Sequence, residues 1–264
     1  MKTQILFRKS NDTDDELEAA QSYFDVKEAR THCKDSLVLC RYSALPFYNE
    51  LTVDLRALNC IPVNSLGQHL WISQFYYYDQ LRNYTPQTWK QEDMPYLDYD
   101  GPFVVKGVTN SLKHRFNTKM FASNKKEAMQ LGWDLGADGL LQYQDIIYRK
   151  FIPLEYLEES FNGLKIANEW RFFFLYGELV DYGFYWSQYE FAEEIKIEEN
   201  GIKFARKMAN ICKHHCNFFV IDIAKTDKGE WIVVELNDGN MSGLSMIDPN
   251  NFYKNLKNIL ERKK

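Results

Sequence analysis

No stretch of this sequence stays apolar for the ~18 residues that a membrane-crossing helix needs. Even Phe172-Phe173-Phe174-Leu175 gives way to Tyr176-Gly177. The opening residues carry only a short Gln4-Ile5-Leu6-Phe7 run, with no small-residue cleavage site behind it, so no secretory signal is expected. Paired-cysteine spacing is missing too: Cys33, Cys40, Cys60, Cys212 and Cys216 are an odd, uneven set, which suits reduced thiols in the cytoplasm. Basic charge is not in excess, since 32 Lys and Arg against 37 Asp and Glu leave a net charge of −5, which argues against duplex nucleic acid as a partner. Finally, no Gly-x-x-x-x-Gly-Lys-Ser/Thr and no Gly-x-Gly-x-x-Gly occurs, so P-loop, protein-kinase and Rossmann readings fail.

What is present is a chain of 264 residues, 45% hydrophobic and 16% aromatic, rich enough in large side chains to fold. At roughly 150 residues per domain, the length suggests two lobes. Residues 1–95 read as a small α/β lobe. It alternates apolar runs (Ile5–Phe7, Ser36–Cys40, Ile61–Val63) with helix-like stretches over 12–22, 48–58 and 68–81. A polar connector over 85–102 places the boundary near Pro95. Residues 96–264 read as an α+β region with an antiparallel sheet. Its elements are strands at 103–106 and 145–152, a helix over 123–135, and hairpins 168–175/178–186 and 218–224/231–237 around a helix at 200–214. The tail from Asn255 reads as a short basic helix with a solvated end.

The chemistry concentrates in the second hairpin. If its loop is Asp227–Glu230 and Thr226 pairs with Trp231, Asp222 stands opposite Glu235, and Asn237 shares that face. Two facing carboxylates repel unless a cation lies between them, and three oxygen donors without sulfur or imidazole suit magnesium, or manganese in its place. The competing reading is two strand carboxylates capping loops or facing solvent. Asp238-Gly239-Asn240-Met241-Ser242-Gly243 follows, with the composition of a loop whose amides could approach an anion. Lys106 ends an apolar strand ahead of a small polar turn, and Arg171 shares a strand face with Glu169. Cations beside an oxygen-ligand metal site suggest a nucleoside triphosphate.

These residues in this order, Lys106, Glu169-Trp170-Arg171, Asp222 and Glu235-Leu236-Asn237, resemble the ATP-grasp superfamily of carboxylate ligases. The run Glu235 to Leu244, with Phe103–Lys106 and Arg41-Tyr42-Ser43-x-x-Pro46-Phe47-Tyr48, is similar to a group of bacterial and phage ATP-grasp proteins. The resemblance implies the ATP-grasp fold and an ATP- and magnesium-dependent ligase. Such an enzyme joins a small-molecule or peptide carboxylate to an amine, less readily a thiol, through an acylphosphate. It also implies that Lys106 and Arg171 serve the phosphates and their transfer, with Ser111 and Lys113 in a covering loop over Thr109–His114. Arg149, Lys150, Phe151 and Ile152 would form the adenine-binding hinge, with Glu155 near the ribose. Asp222, Glu235 and Asn237 would hold the metal. Arg41, Tyr48, Ser242 and Gly243 are candidates for the substrate. The sequence departs from the superfamily in a glycine-poor covering loop and in Arg149-Lys150, where many members have Gln-Glu. The alternative is a nucleotide- or peptide-binding module without turnover.

Two rival motifs carry less. Cys212, His215 and Cys216 share a helical face but lack a fourth zinc ligand, so buried thiols are expected. Phe75-Tyr76-Tyr77-Tyr78 and Tyr182–Trp186 could stack bases, yet core packing is the commoner use of such runs and the acidic balance argues against nucleic acid.

Overall fold

In the computed structural model, the described residues are 1–8, 14–109, 111–112, 115–139, 141–159, 165–187, 189 and 192–263. They form two compact units, one of residues 1–71, 169–222 and 236–264, the other of 72–168 and 223–235. Pro95 lies inside the second unit.

The first unit opens with a parallel sheet of β1 (Lys2–Phe7), β2 (Asp25–Lys27), β3 (Ser36–Arg41) and β4 (Ile61–Pro62), in the order β2-β1-β3-β4. Its central strands are apolar without alternation because both faces are covered. Ile5, Phe7 and Leu39 pack on one side with Leu17 and Ala20 of α1 (Asp14–Tyr23). Leu6, Val38 and Cys40 pack on the other with Tyr48, Leu51 and Leu55 of α2 (Tyr48–Ala57). The aromatic segment after β4 is not one helix. α3 (Leu66–Ser73) stops before Phe75, whose φ of +65° breaks the helical path, and a one-turn α4 (Tyr78–Leu81) follows.

The second unit holds the antiparallel sheet β5-β8-β6-β7, from β5 (Thr88–Lys90), β6 (Phe103–Gly107), β7 (Phe121–Ala122) and β8 (Ile146–Lys150). The stretch read as a connector thus supplies a strand, because Thr88–Lys90 pairs with the edge of β8. A one-turn α5 (Phe116–Lys119) precedes β7. α6 (Lys125–Gly136) begins where the Asn124 side chain accepts the Glu127 N–H, and its Gly132 leaves room for the buried Tyr148 ring. Phe103, Val105, Ala128, Leu135, Ile146 and Tyr148 form this core. A two-stranded sheet of β9 (Tyr156–Glu159) and β10 (Lys165–Ala167) completes the segment.

The chain then returns to the first unit through β11 (Glu169–Leu175) and β12 (Glu178–Phe184). Their turn, Tyr176-Gly177, has φ of +53° and +78°, the double left-handed geometry that matches strand twist. After α7 (Glu199–Cys212) come β13 (Phe218–Lys225) and β14 (Trp231–Asp238). Both strands cross the unit boundary, at Asp222/Ile223 and at Glu235/Leu236. The last helix, α8 (Pro249–Arg262), begins six residues before the expected tail, with the Asp248 side chain accepting the Asn251 N–H and Pro249 in the first turn. It is not a solvated end. Phe252, Tyr253, Leu256, Ile259 and Leu260 form an apolar stripe buried in the first unit's core, against α1. Among the described residues no helix is long and apolar enough to cross a membrane.

Candidate nucleotide and metal site

In the second unit, antiparallel pairing fixes which side chains share a face. Phe103 and Val105 of β6 point into the core with Ile146 and Tyr148 of β8, which turns Lys106 and Arg149 to the opposite face. Lys106, only 6% exposed, forms an ion pair with Glu235, itself 4% exposed. Arg149 is committed within the unit. Its Nη2 donates to Thr85 Oγ1 at 2.9 Å, its Nε to Thr88 Oγ1 at 3.2 Å, and its Nη1 to the Val234 carbonyl. The Arg149 guanidinium expected at adenine therefore braces β8 against its neighbours.

Two amides of the expected hinge are likewise occupied, since Lys150 N–H donates to the Gln87 carbonyl at 2.8 Å and Phe151 N–H to the Pro102 carbonyl at 2.9 Å. Lys150 reaches over the Tyr99 ring, and Phe151 meets Phe121 edge-on. Ile152 is half-buried. Glu155 accepts from Asn168 Nδ2 at 2.7 Å, with Lys225 Nζ at 3.7 Å. In the expected covering loop, Thr109 donates its N–H to Gln144 Oε1 at 2.9 Å, Ser111 is half-buried and Leu112 joins the core. Lys113, with Asn110 and His114, lies outside the described residues.

In the first unit, β11 is buried along its whole length, yet it carries Arg171. The guanidinium meets Asp222 as a fork, Nε to Oδ1 at 2.9 Å and Nη2 to Oδ2 at 2.8 Å, while Nη1 donates to the Gly243 carbonyl at 2.9 Å. Asp222 is fully buried and Asn237 is 9% exposed.

Thr226 N–H donates to the Glu230 carbonyl at 2.8 Å, so the turn closes one residue short of the Thr226–Trp231 pair from which the hairpin positions were counted. Each carboxylate has its own basic partner instead. Among the described residues no group of three His, Cys, Asp or Glu side chains is placed to hold a metal ion.

The loop after Asn237 is also spent internally. Gly239 N–H donates to the Phe218 carbonyl, Asn240 N–H to Asp238 Oδ1 and Met241 N–H to the Asp238 carbonyl, so these amides form no open anion nest. Ser242 Oγ donates back to the Asp238 carbonyl, while a Cβ added at Gly243 would meet nothing within 4 Å. Arg41 gives its guanidinium to Glu16 and to the carbonyls of Gly239 and Ser242. The Tyr48 hydroxyl donates to the Asn64 carbonyl at 2.8 Å. Arg41 and Tyr48, two of the four substrate candidates, are therefore engaged in holding the fold.

Sequence reasoning missed the network that holds this loop. Asp238 Oδ1 accepts from Asn64 Nδ2 at 2.8 Å and from Asn240 Nδ2 at 2.8 Å, and Oδ2 lies 3.0 Å from His69 Nδ1. The Asn64 amide also brackets Phe218, donating to its carbonyl at 2.7 Å and accepting its N–H at 2.8 Å. His69 stacks flat on Tyr48 at 3.9 Å. The thiols behave as expected: Cys212 and Cys216 are buried, and that burial raises both pKa values, so they stay protonated as small apolar groups.

Several solved structures share the fold of this chain. D-cycloserine synthetase DcsG superposes over 98% of this chain and 99% of its own, with a TM-score of 0.65 at 12% identity. D-alanine–D-alanine ligase from Bacillus anthracis, complexed with ATP, covers 98% and 95% at TM-score 0.58 and 14% identity. The ATP-grasp ligase PsnB, complexed with minimal precursor, Mg and ADP, covers 99% and 98% at TM-score 0.55 and 11% identity. At these identities the likeness establishes the ATP-grasp fold. No curated protein matches the chain in sequence. The family profile of the ATP-grasp domain, R2K clade family 3, matches residues 96–256, and the chain belongs to that family. ATP and magnesium are the cofactors of ATP-grasp ligases. The residues here fit them chemically: hard carboxylate and amide oxygens for the ion, ammonium and guanidinium for phosphate.

Proposed function

We propose that this chain is an ATP- and magnesium-dependent ligase that joins a carboxylate to an amine through an acylphosphate, working in the cytoplasm. One observation carries the reading. Lys106–Glu235 and Arg171–Asp222 are both buried ion pairs, and buried ion pairs are a poor way to stabilise a fold, because apolar residues of the same volume do as well or better. Two such pairs in a chain of an ATP-grasp family point to chemistry rather than to stability.

In this reading residues 96–264 are the nucleotide-binding and catalytic region, and residues 1–95 the preceding lobe. Lys106 binds phosphate oxygens, and Arg171 stabilises the phosphoryl group in transfer. Asp222, Glu235 and Asn237 hold magnesium, whose contribution is to neutralise phosphate charge. The γ-phosphoryl group passes to a carboxylate oxygen, releasing ADP. The amine nitrogen then attacks the acyl carbon, the C–O bond to phosphate breaks, and the amine gives up a proton. Ile152, whose half-buried position follows the occupied hinge amides, is the residue we assign to adenine.

The test is ADP release by pure protein with ATP, magnesium and panels of carboxylates and amines, alongside melting with nucleotide. Magnesium-ATP should raise the melting temperature by linkage, and Lys106→Ala should shrink that rise. A melting curve unmoved by millimolar ATP would refute the proposal. Nucleotide binding without ADP release under any acceptor would leave a binding module.

A further inference from the structure

The first unit carries a cleft that the nucleotide residues do not use. Its volume is about 690 Å³, and it lies outside the carboxyl ends of β1 and β3, lined by Arg8, Arg30 and Tyr42 together with Glu28, Glu50 and Phe47. From β1 the chain crosses to β2 on one side, and β3 then enters on the other side of β1. That reversal opens a crevice between the two connections, the place where open parallel sheets hold ligands.

The polar groups of the cleft are arranged in pairs. Arg8 stacks on the Tyr42 ring, its guanidinium carbon 4.3 Å from the centroid. Arg30 Nε donates to Tyr42 Oη at 3.2 Å, which leaves the phenol hydrogen to point elsewhere. Partial burial raises the Tyr42 pKa, so that hydrogen is retained at neutral pH. Arg30 is neutralised by Asp54 at 2.8 Å. Arg8 has no carboxylate partner among the described residues, and Glu28 and Glu50 are exposed. Counting Asp54, the lining holds two guanidinium groups against three carboxylates, so a simple anion would meet a net negative wall. A ligand that brings its own ammonium answers both signs.

We propose that this cleft binds a zwitterion bearing a carboxylate and a primary ammonium, an amino acid or short peptide. The carboxylate lies at Arg8 and the Tyr42 hydroxyl, the ammonium at Glu28 and Glu50, and the apolar part against Phe47. The inference deepens the ligase reading by giving a substrate class, and it rests on that reading for its biological sense.

The test is ligand-observed NMR on the full chain without nucleotide, with L-alanyl-L-alanine and the proteinogenic L-amino acids as probes and acetate and methylamine as controls. At least one zwitterion binds, and its affinity falls about tenfold or more in Arg8→Ala and in the double variant Glu28→Gln with Glu50→Gln, as expected for a lost charged hydrogen bond. These side chains are exposed, so the variants keep the wild-type melting temperature. Silence from every zwitterion, binding untouched by Arg8→Ala, or acetate binding as tightly as the zwitterions would each overturn the proposal. The magnesium-ATP melting shift separates the two readings. Its absence in wild type alongside zwitterion binding refutes the ligase and leaves the cleft, whereas its presence without zwitterion binding refutes the cleft alone.

Discussion

Replacing Glu235 by Gln tests whether the buried carboxylate is held by the fold or strained by it. Were Glu235 opposed only by the Asp222 carboxylate, neutralising one of them would relieve repulsion and raise the stability of the metal-free protein. The geometry reverses that sign, because Glu235 is 4% exposed and its ion-pair partner Lys106 is 6% exposed. Breaking a buried pair by removing one charge costs about 3–5 kcal/mol, and the Gln oxygen, still able to accept from the ammonium, brings the loss toward the low end, about 3 kcal/mol. At about 2–4 °C per kcal/mol for a chain of this class, the melting temperature should fall by about 6–12 °C. Lys106→Met should cost a comparable amount. The double variant should lose clearly less than the two singles together, with a coupling of about 1–3 kcal/mol in the cycle. Thermal melts of the four proteins without metal or nucleotide measure this, and ADP release on the same samples should be abolished in all three variants. Glu235→Gln melting at or above the wild type, or strict additivity in the cycle, would refute the argument that Lys106 neutralises this carboxylate.

Three further outcomes follow from the first unit. Asn64→Ala removes the amide that brackets Phe218 and holds Asp238, and should cost about 3–5 kcal/mol, since several buried hydrogen bonds go at once; denaturant titration reads it. Gly239→Ala puts a Cβ 2.7 Å from the buried Phe218 ring and should destabilise by about 1–3 kcal/mol, whereas Gly243→Ala, with open space around it, should melt within about 1 °C of wild type. Asp181 is half-buried, and desolvation, aided by Asp248, raises its pKa. Its folded pKa exceeds the unfolded one, so the group opposes folding above both values and not below them. Asp181→Asn should therefore stabilise the protein at neutral pH, with the gain vanishing as pH falls below about 4.

Much of this molecule is written locally in its sequence. Tyr176-Gly177 marks its hairpin because two left-handed residues in succession restrict the chain to few turns, and the apolar runs of β1 and β3 mark a sheet covered on both faces. The order Lys106, Arg171, Asp222, Glu235, Asn237 carries the family. What was not legible depends on partners far apart in the chain. Asn64 and Asp238 are separated by 174 positions, and neither has a local pattern that announces the other. Arg149 looks like a ligand group in a strand-end motif and becomes a brace only because Thr85 and Thr88 come alongside. The neutralisation of Asp222 and Glu235 was hidden for the same reason. Hairpin arithmetic counts the two strands it contains and not the strands beside them.

The Asn64–Asp238 bond and the seating of α8 against α1 also set a timetable for synthesis. The first seventy or so residues emerge from the ribosome early, but the asparagine and histidine near their end find their carboxylate only when the last thirty or so are made. Until then Ile5, Phe7 and Leu39 have no cover from Phe252, Leu256 and Ile259. Until α8 is made, at about 5–20 residues per second, that face of the N-terminal sheet has α1 but not the late helix to cover it, so its packing depends on the arrival of distant sequence.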